Sequence, residues 1–240
     1  MARFLIVKTG TTVSNVVAER GDFEAWITRG LGVGEQNVEL CRVHQDEALP
    51  DVRELGAVAG VVVTGSPAMV TERLPWSERT AEWLREAVLS EVPVLGICYG
   101  HQLLAHAFGG RVDDNPLGRH IGTVDVALSE RGASDPLLGA LGPVLHVAVS
   151  HRQSVLELPL EATLLATAAR DPHHAFSIGA RAWGVQFHPE FDADIVRGYV
   201  TARRDLINAE GLDAGAIEKA ARDTDHGPRV LRRFAELFSR

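Results

Sequence analysis

The segment Val92–Phe108, VPVLGICYGHQLLAHAF, constrains this chain more than any other. An apolar run through Val92, Val94, Leu95 and Ile97 ends in Gly96-Ile97-Cys98-Tyr99-Gly100. A helical pattern follows at once, with Leu103, Leu104, Ala107 and Phe108 on one face. The segment predicts a strand, a very tight turn and a helix, with Cys98 at the apex. Backbone crowds in such a turn, and a Gly-x-nucleophile-x-Gly spacing relieves the crowding. Cys98 would then open a helix, where unpaired N–H groups and the helix dipole favour a thiolate. Cys98 is therefore a candidate nucleophile; the competing reading is a structural cysteine at the end of a Gly-rich strand.

The rest of the chain supplies an alternating α/β frame. Phe4–Val7 reads as a buried first strand rather than a signal peptide, and residues 11–22, small and polar without a period, as a loop. A short helix is expected around Phe23–Arg29, and a second strand over Val38–Val43, where Cys41 packs. Gly60–Gly65, GVVVTG, is continuous enough in valine to be buried on both faces, as in a parallel sheet. Such strands carry ligand-binding loops at their C-terminal ends, so Thr64-Gly65-Ser66 can face the Cys98 turn. Pro75–Leu89 is an amphipathic helix whose Trp76 and Trp83 read as core. Residues 111–149 hold short alternating runs, Thr123–Leu128 and Leu145–Val149, suited to antiparallel strands at a sheet edge or in a small side sheet. Leu164–Ala169 and Ala175–Ile178 read as further strands, joined by Asp171-Pro172-His173-His174 as a solvated turn rather than a metal site. The polar knot Ser150-His151-Arg152-Gln153 stands between two apolar stretches.

Trp183–Phe187 is a strand that leads into His188-Pro189-Glu190. In extended backbone, residues i and i+2 point the same way, so His188 and Glu190 can share a face. Pro189 holds His188 extended. A carboxylate beside an imidazole fixes its tautomer and stabilises its charged form, the task of a triad's third member. With Cys98, the pair His188 and Glu190 makes a Cys/His/Glu triad a concrete proposal. Beyond them, Asp192–Ile207 reads as a helix packed back on the sheet, and the tail from Gly211 holds two more helical patterns, the last opening at Pro228. That tail can pack on the sheet, cover part of the site or make a subunit contact through Phe234, Leu237 and Phe238.

Composition narrows the function classes. The chain has 240 residues, 45% hydrophobic, and carries a net charge of −8. It can bury a full core and has no basic footprint, which argues against nucleic acid as the main ligand. Two cysteines are too few for a disulfide framework and suit a reducing, cytoplasmic compartment. No apolar run approaches a membrane span, and no G-x-G-x-x-G or Walker A loop is present.

With these residues in view, the sequence resembles the class I (triad) glutamine amidotransferases, and within them the stand-alone, GMP synthase-like branch. The resemblance covers about residues 4–191, through GICYGHQ at 96–102, GVQFHPEF at 184–191 and VVVTGSP at 61–67, in the family's order. It implies a flavodoxin-like α/β fold: an open, mixed, mainly parallel sheet flanked by helices, with a small antiparallel side sheet. One domain over 1–240 is expected, with a triad core at about 4–191 and a helical extension at about 192–240. The resemblance also implies Cys98 as nucleophile on the glutamine side-chain amide, His188 as its base and Glu190 as the orienting residue. A γ-glutamyl thioester would form, and glutamate and ammonia would be released. Tyr99 and Gly65 are the implied oxyanion donors, and Gln102 an implied substrate contact.

One departure is visible. Family members commonly carry Ser-His-x-Asp where this chain has Ser150-His151-Arg152-Gln153, and that Asp helps hold the substrate's α-ammonium. Ser150, His151 and Gln153 remain pocket candidates, but a neutral Gln153 could favour a γ-glutamyl compound with another group there. His101 is expected to be a packed or surface histidine. Three readings follow: a glutaminase-type amidotransferase, with or without a separate ammonia-accepting synthase subunit; a γ-glutamyl peptidase or hydrolase; and a non-catalytic regulatory homologue, against which the intact triad speaks. A cysteine mechanism demands no metal or organic cofactor, and an oligomer is compatible with the sequence.

Overall fold

The computed structural model describes residues 2–239, and at residue 57 the backbone alone. Strands β1 (Arg3–Val7), β2 (Val38–Cys41), β3 (Val58–Val63), β4 (Val94–Ile97), β6 (His120–Leu128), β7 (Val144–His151), β9 (Ala162–Ala168), β10 (Asp171–Ile178) and β11 (Ala182–Val185) form one sheet. Its order is β2-β1-β3-β4-β11-β10-β9-β6-β7. The first five strands in that order run parallel, and the remaining four continue it antiparallel. Strands β5 (Arg111–Asp114) and β8 (Gln153–Glu157) pair as a separate antiparallel ribbon. The predicted mixed, mainly parallel sheet with a small antiparallel companion is thus present.

Both faces of the parallel half are buried, which explains the unbroken apolar runs. In β1, Phe4 and Ile6 enter one hydrophobic cluster while Leu5 and Val7 enter the other. In β3 and β4, Val62, Leu95 and Ile97 face the first cluster, and Val61, Val63 and Val94 the second. The second face is covered by α3 (Pro75–Leu89) and α4 (Tyr99–Ala107) through Trp83, Leu84, Leu103 and Leu104. Pro75 opens α3 at a position where a missing N–H costs nothing.

The first face is covered by α1 (Ser14–Arg20), α2 (Phe23–Leu31), α6 (Ala193–Ala202) and α9 (His226–Phe238). Between β6 and β7 lies the single-turn α5 (Glu130–Ala133), and α7 (Arg204–Ala209) and α8 (Ala214–Ala220) link α6 to α9. The C-terminal helix packs on the sheet. Phe234 is fully buried against Phe4 and Trp183, at ring separations of 6.2 and 6.3 Å. Gly60 makes room for it, since a Cβ there would lie 2.9 Å from the Phe234 ring. Phe238 joins the same cluster, and Leu237 is left partly exposed.

Three local expectations need correction. Residues 11–22 are not all loop, because Ser14–Arg20 is helical. That helix has no apolar stripe of its own; it docks by Val16 into the gap left by Gly198, where a Cβ would meet the Val16 methyl at 2.5 Å. Asp171–His174 is not a solvated turn but the start of β10, with Asp171 and His174 fully buried. The ladder shifts register between Asp171 and Ala175, which accommodates Pro172 within the strand. The helix expected over Asp192–Ile207 breaks at Arg203 into α6 and α7. Among the described residues no helix is long and apolar enough to cross a membrane.

Candidate active site

Cys98 sits between β4 and α4, near the centre of the sheet, at the carboxyl end of its strand. Ligands bind in such sheets just beyond these strand ends. The backbone at Cys98 has φ 51° and ψ −96°, a conformation that L-residues rarely adopt. It is held there by its neighbours. The Cys98 N–H donates to the Val185 carbonyl at 2.9 Å, and its own carbonyl accepts from the Gln102 N–H at 3.1 Å. The two flanking glycines are sterically required. A Cβ on Gly96 would lie 2.5 Å from the Gly100 carbonyl oxygen, and one on Gly100 would lie 2.5 Å from the Val63 carbonyl oxygen. Strain of this kind costs roughly 1–3 kcal/mol and persists only where the surroundings over-determine it.

The neighbouring strand β11 delivers His188. Its N–H donates to the Ala148 carbonyl at 2.8 Å, so the loop after β11 is pinned to β7. The His188 Nδ1 lies 2.8 Å from Glu190 Oε1, and both side chains are buried. Phe191 stacks on the imidazole with a centroid separation of 3.9 Å, and Phe23 lies nearly parallel at 6.2 Å. Burial alone would push the imidazole down. The Glu190 carboxylate and the Cys98 sulfur, both also hydrogen-bonded to it, outweigh burial and push it up to about 10. His188 therefore carries its proton at neutral pH.

Gly65, two residues beyond β3, completes this side. A Cβ there would lie 2.8 Å from His188 Cε1, so only glycine lets the imidazole approach. The Gly65 carbonyl accepts from the hydroxyls of Thr9 and Thr64, both at 2.9 Å, which fixes the peptide's orientation. Tyr99 opens α4, so its N–H has no intrahelical partner. Its ring is anchored away from the cysteine by a 2.6 Å hydrogen bond to the Ser77 hydroxyl, and burial pushes the phenol up to about 12.

Cys98 borders two cavities. A narrow one of about 50 Å³ is lined by Tyr99, Gln102, Ser150, His151 and Gln153, so the structure brings these predicted residues together beside the cysteine. Gln102 Nε2 donates to the Gln153 carbonyl at 2.7 Å and to Gln186 Oε1 at 3.0 Å. Gln153 Nε2 donates to the Thr71 hydroxyl at 2.7 Å and to Asp114 Oδ1 at 3.3 Å. His151 is buried with them, its Nδ1 3.0 Å from the Gln153 carbonyl. It packs with His120 and His174 at ring separations of 5.4 and 6.2 Å. Burial pushes His151 down to about 3 and His120 to about 4, so this cluster is neutral. His101 lies wholly inside, 4.8 Å from the Phe176 ring, where burial pushes it down to about 3. The second cavity, about 610 Å³, runs from Cys98 and His188 to residues 11–15 and the break between α6 and α7. No cluster of metal-ligating side chains occurs among the described residues.

Several supporting groups escape sequence reasoning. Lys8 is buried with its Nζ 2.7 Å from both Asp22 and Glu24. Asp22 also accepts from the Thr12 and Phe23 N–H groups, so it ties the loop after β1 to the helix that carries Phe23. Phe23 and Tyr199 have no motif to announce them. Phe191 belongs to the 184–191 motif, and only the fold reveals that it backs His188.

The chain matches the family model "Glutamine amidotransferase class-I" over residues 16–198. It is 36% identical over 187 residues to a glutamine-hydrolysing GMP synthase of Aeropyrum pernix, a match that covers 78% of this chain and 32% of that protein. It is 31% identical over 218 residues to gamma-glutamyl peptidase 3 of Arabidopsis thaliana, covering 88% of this chain and 85% of that one. This chain spans about a third of the length of the GMP synthases it matches. A glutamine amidotransferase structure from Thermotoga maritima shares the fold, with a TM-score of 0.76 at 22% identity, over 98% of this chain and 97% of that one. The chain belongs to the class I glutamine amidotransferase family.

Proposed function

We propose that this enzyme hydrolyses the side-chain amide of glutamine through Cys98, His188 and Glu190. The observation that carries the reading is the buried His188–Glu190 pair facing a cysteine on a strained elbow. Cys98 Sγ attacks the γ-carbonyl carbon, and the N–H groups of Tyr99 and Gly65 receive the oxyanion. His188, protonated at rest and oriented by Glu190, gives its proton to the departing nitrogen. Ammonia leaves and a γ-glutamyl thioester remains on Cys98. Neutral His188 then takes a proton from water, the hydroxide adds to the thioester carbonyl, and glutamate departs as the thiolate reforms.

A separate synthase polypeptide is the proposed acceptor for the ammonia. The GMP synthases of similar sequence are about three times longer than the matched region, and one relative from Halobacterium salinarum is named as one subunit of a glutamine-hydrolysing GMP synthase. We read residues 1–240 as one domain, since α6 and α9 share an apolar cluster with the sheet, and we place it in a reducing compartment on the strength of two free cysteines. A second reading, cleavage of a γ-glutamyl conjugate, is favoured by the neutral Gln153 in the narrow cavity and by the near full-length match to a gamma-glutamyl peptidase. Release of glutamate from glutamine and from γ-glutamyl peptides, measured beside Cys98→Ala, tests both. Turnover of glutamine selects the first, turnover of peptides alone selects the second, and turnover retained in Cys98→Ala refutes the triad.

A further inference from the structure

The cavity of about 610 Å³ on the His188 side of Cys98 is far larger than release of an ammonia molecule requires. Its size falls in the range of pockets that enclose whole small-molecule ligands, roughly 300–1,000 Å³. The narrow cavity, with Gln102 and Gln153, adjoins it, and the two share Ser66, Pro67, Cys98, Ser150 and Arg203 in their linings. His188, the proposed proton donor to the departing group, lines the wide cavity and not the narrow one, so an acyl group held beside Gln102 and Gln153 has its departing group on the wide side.

The wide cavity has a marked electrostatic character. No Asp or Glu lines it, in a chain whose net charge is −8. Besides Cys98 and His188, its polar walls are hydroxyls, the Asn15 amide and Arg203, the residue at the break between α6 and α7, and Val13, Phe23, Pro67 and Ala202 supply the apolar remainder. Of the three arginines that line the narrow cavity, Arg119 and Arg152 are neutralised by Glu210 at 2.7 Å and Asp114 at 2.5 Å, and Arg203, the third, also lines the wide one. Arg203 has no carboxylate partner among the described residues, and its Nη1 is buried without a hydrogen-bond acceptor. Its guanidinium rests 4.7 Å from the centre of the Tyr199 ring, whose hydroxyl is tied to the Thr12 hydroxyl at 2.5 Å. Burial lowers the pKa of Arg203, as expected for a guanidinium lacking a compensating anion. A buried donor without an acceptor is costly, and a planar fork is suited to a carboxylate.

The geometry points to the wide cavity as a leaving-group subsite for the peptide portion of a γ-glutamyl peptide, with Arg203 gripping that peptide's terminal carboxylate. The inference rests on the second reading of the Cys98 site, cleavage of a γ-glutamyl conjugate, and names the leaving group that this reading requires. Arg203 is a specificity-determining residue, and it comes from the C-terminal extension rather than from the triad core.

The test compares γ-glutamylalanine with its C-terminal amide, which differ only in the carboxylate. Binding is measured by calorimetry on full-length Cys98→Ala, so the readout does not depend on turnover. The acid should bind roughly 10- to 100-fold more tightly than the amide, the worth of one charge-assisted hydrogen bond. Adding Arg203→Met should bring the ratio close to one, and Arg203→Lys should restore part of it. A merely structural role would weaken acid and amide alike and keep the ratio, which overturns the proposal. So does equal binding of acid and amide before Arg203 is changed, or no binding of either at millimolar concentration. The ratio of kcat/KM for acid and amide in the unmodified enzyme should show the same preference. Turnover surviving in Cys98→Ala would refute the triad while leaving the subsite standing, so the two failures are distinguishable.

Discussion

His188 Nδ1 and Glu190 Oε1 lie 2.8 Å apart across Pro189, in a pocket that solvent barely reaches. Strand alternation puts the two side chains on one face, the proline stiffens the link, and Phe191 closes over the ring. The consequence is an imidazole pushed up to about 10 from its ordinary 6.5, against the opposing effect of burial.

That shift makes stability depend on pH. Between about 6.5 and 10 the folded chain holds a proton on His188 that the unfolded chain releases. The stabilisation is complete below 6.5 and is lost as pH rises through about 10. Glu190→Gln removes the main upward push and leaves only the Cys98 sulfur to oppose burial. Urea unfolding at several pH values across that window should show a steeper decline for the unmodified protein than for Glu190→Gln. Equal slopes would mean that the pair does not hold the proton.

Activity should follow the same pair. Glu190→Gln keeps the shape but not the charge, and kcat should fall by about 10²–10⁴, the usual contribution of a positioned acid–base group. KM should change little, since Glu190 borders neither cavity beside Cys98. A change confined to KM would assign Glu190 to binding instead.

The elbow should be intolerant of a single methyl group. Gly96→Ala drives a Cβ to 2.5 Å from the Gly100 carbonyl and 2.9 Å from the His101 nitrogen, both backbone atoms that cannot swing aside. A loss of about 1–3 kcal/mol is expected from such overpacking. Gly56→Ala, where nothing lies within 4 Å, serves as the control and should be nearly neutral. Chemical denaturation of both variants gives the comparison, and equal stabilities would contradict the crowding.

Lys8→Met should be among the more damaging changes away from the triad. It leaves Asp22, itself buried, and Glu24 without their cation. Breaking one side of a buried pair costs about 3–5 kcal/mol. Thermal unfolding should show the loss, and Lys8→Met combined with Asp22→Asn should recover part of it. No recovery would mean that the stranded charge is not the cause.

Much of this site was legible because its parts are local. Gly96–Gly100 and His188-Pro189-Glu190 each carry their geometry in a few adjacent residues, and VVVTGSP advertises a strand end. The alternation of β1, β3 and β4 with helices gave the parallel half of the sheet. What escaped was set by contacts distant in sequence. The start of β10 looked like a polar turn, since no periodicity reveals that Asp171 is satisfied by Ser154 at 2.9 Å or that His174 lies in a neutral histidine cluster. Helix α1 exists because Gly198, 182 positions after Val16, leaves space for it. Arg203 gave no signal at all, because its meaning depends on a helix break and on the acids that are not beside it.

The most direct measurement is peptide mapping by mass spectrometry after treatment with a glutamine-like electrophile. Cys41 is a built-in reference: burial and the nearby Glu47 and Glu39 push its thiol up to about 11, so it should stay inert. A single adduct on Cys98, slowed when glutamine is present and lost in His188→Ala, is the result this account predicts. Labelling of Cys41 at a comparable rate, or a Cys98 indifferent to His188, would contradict it.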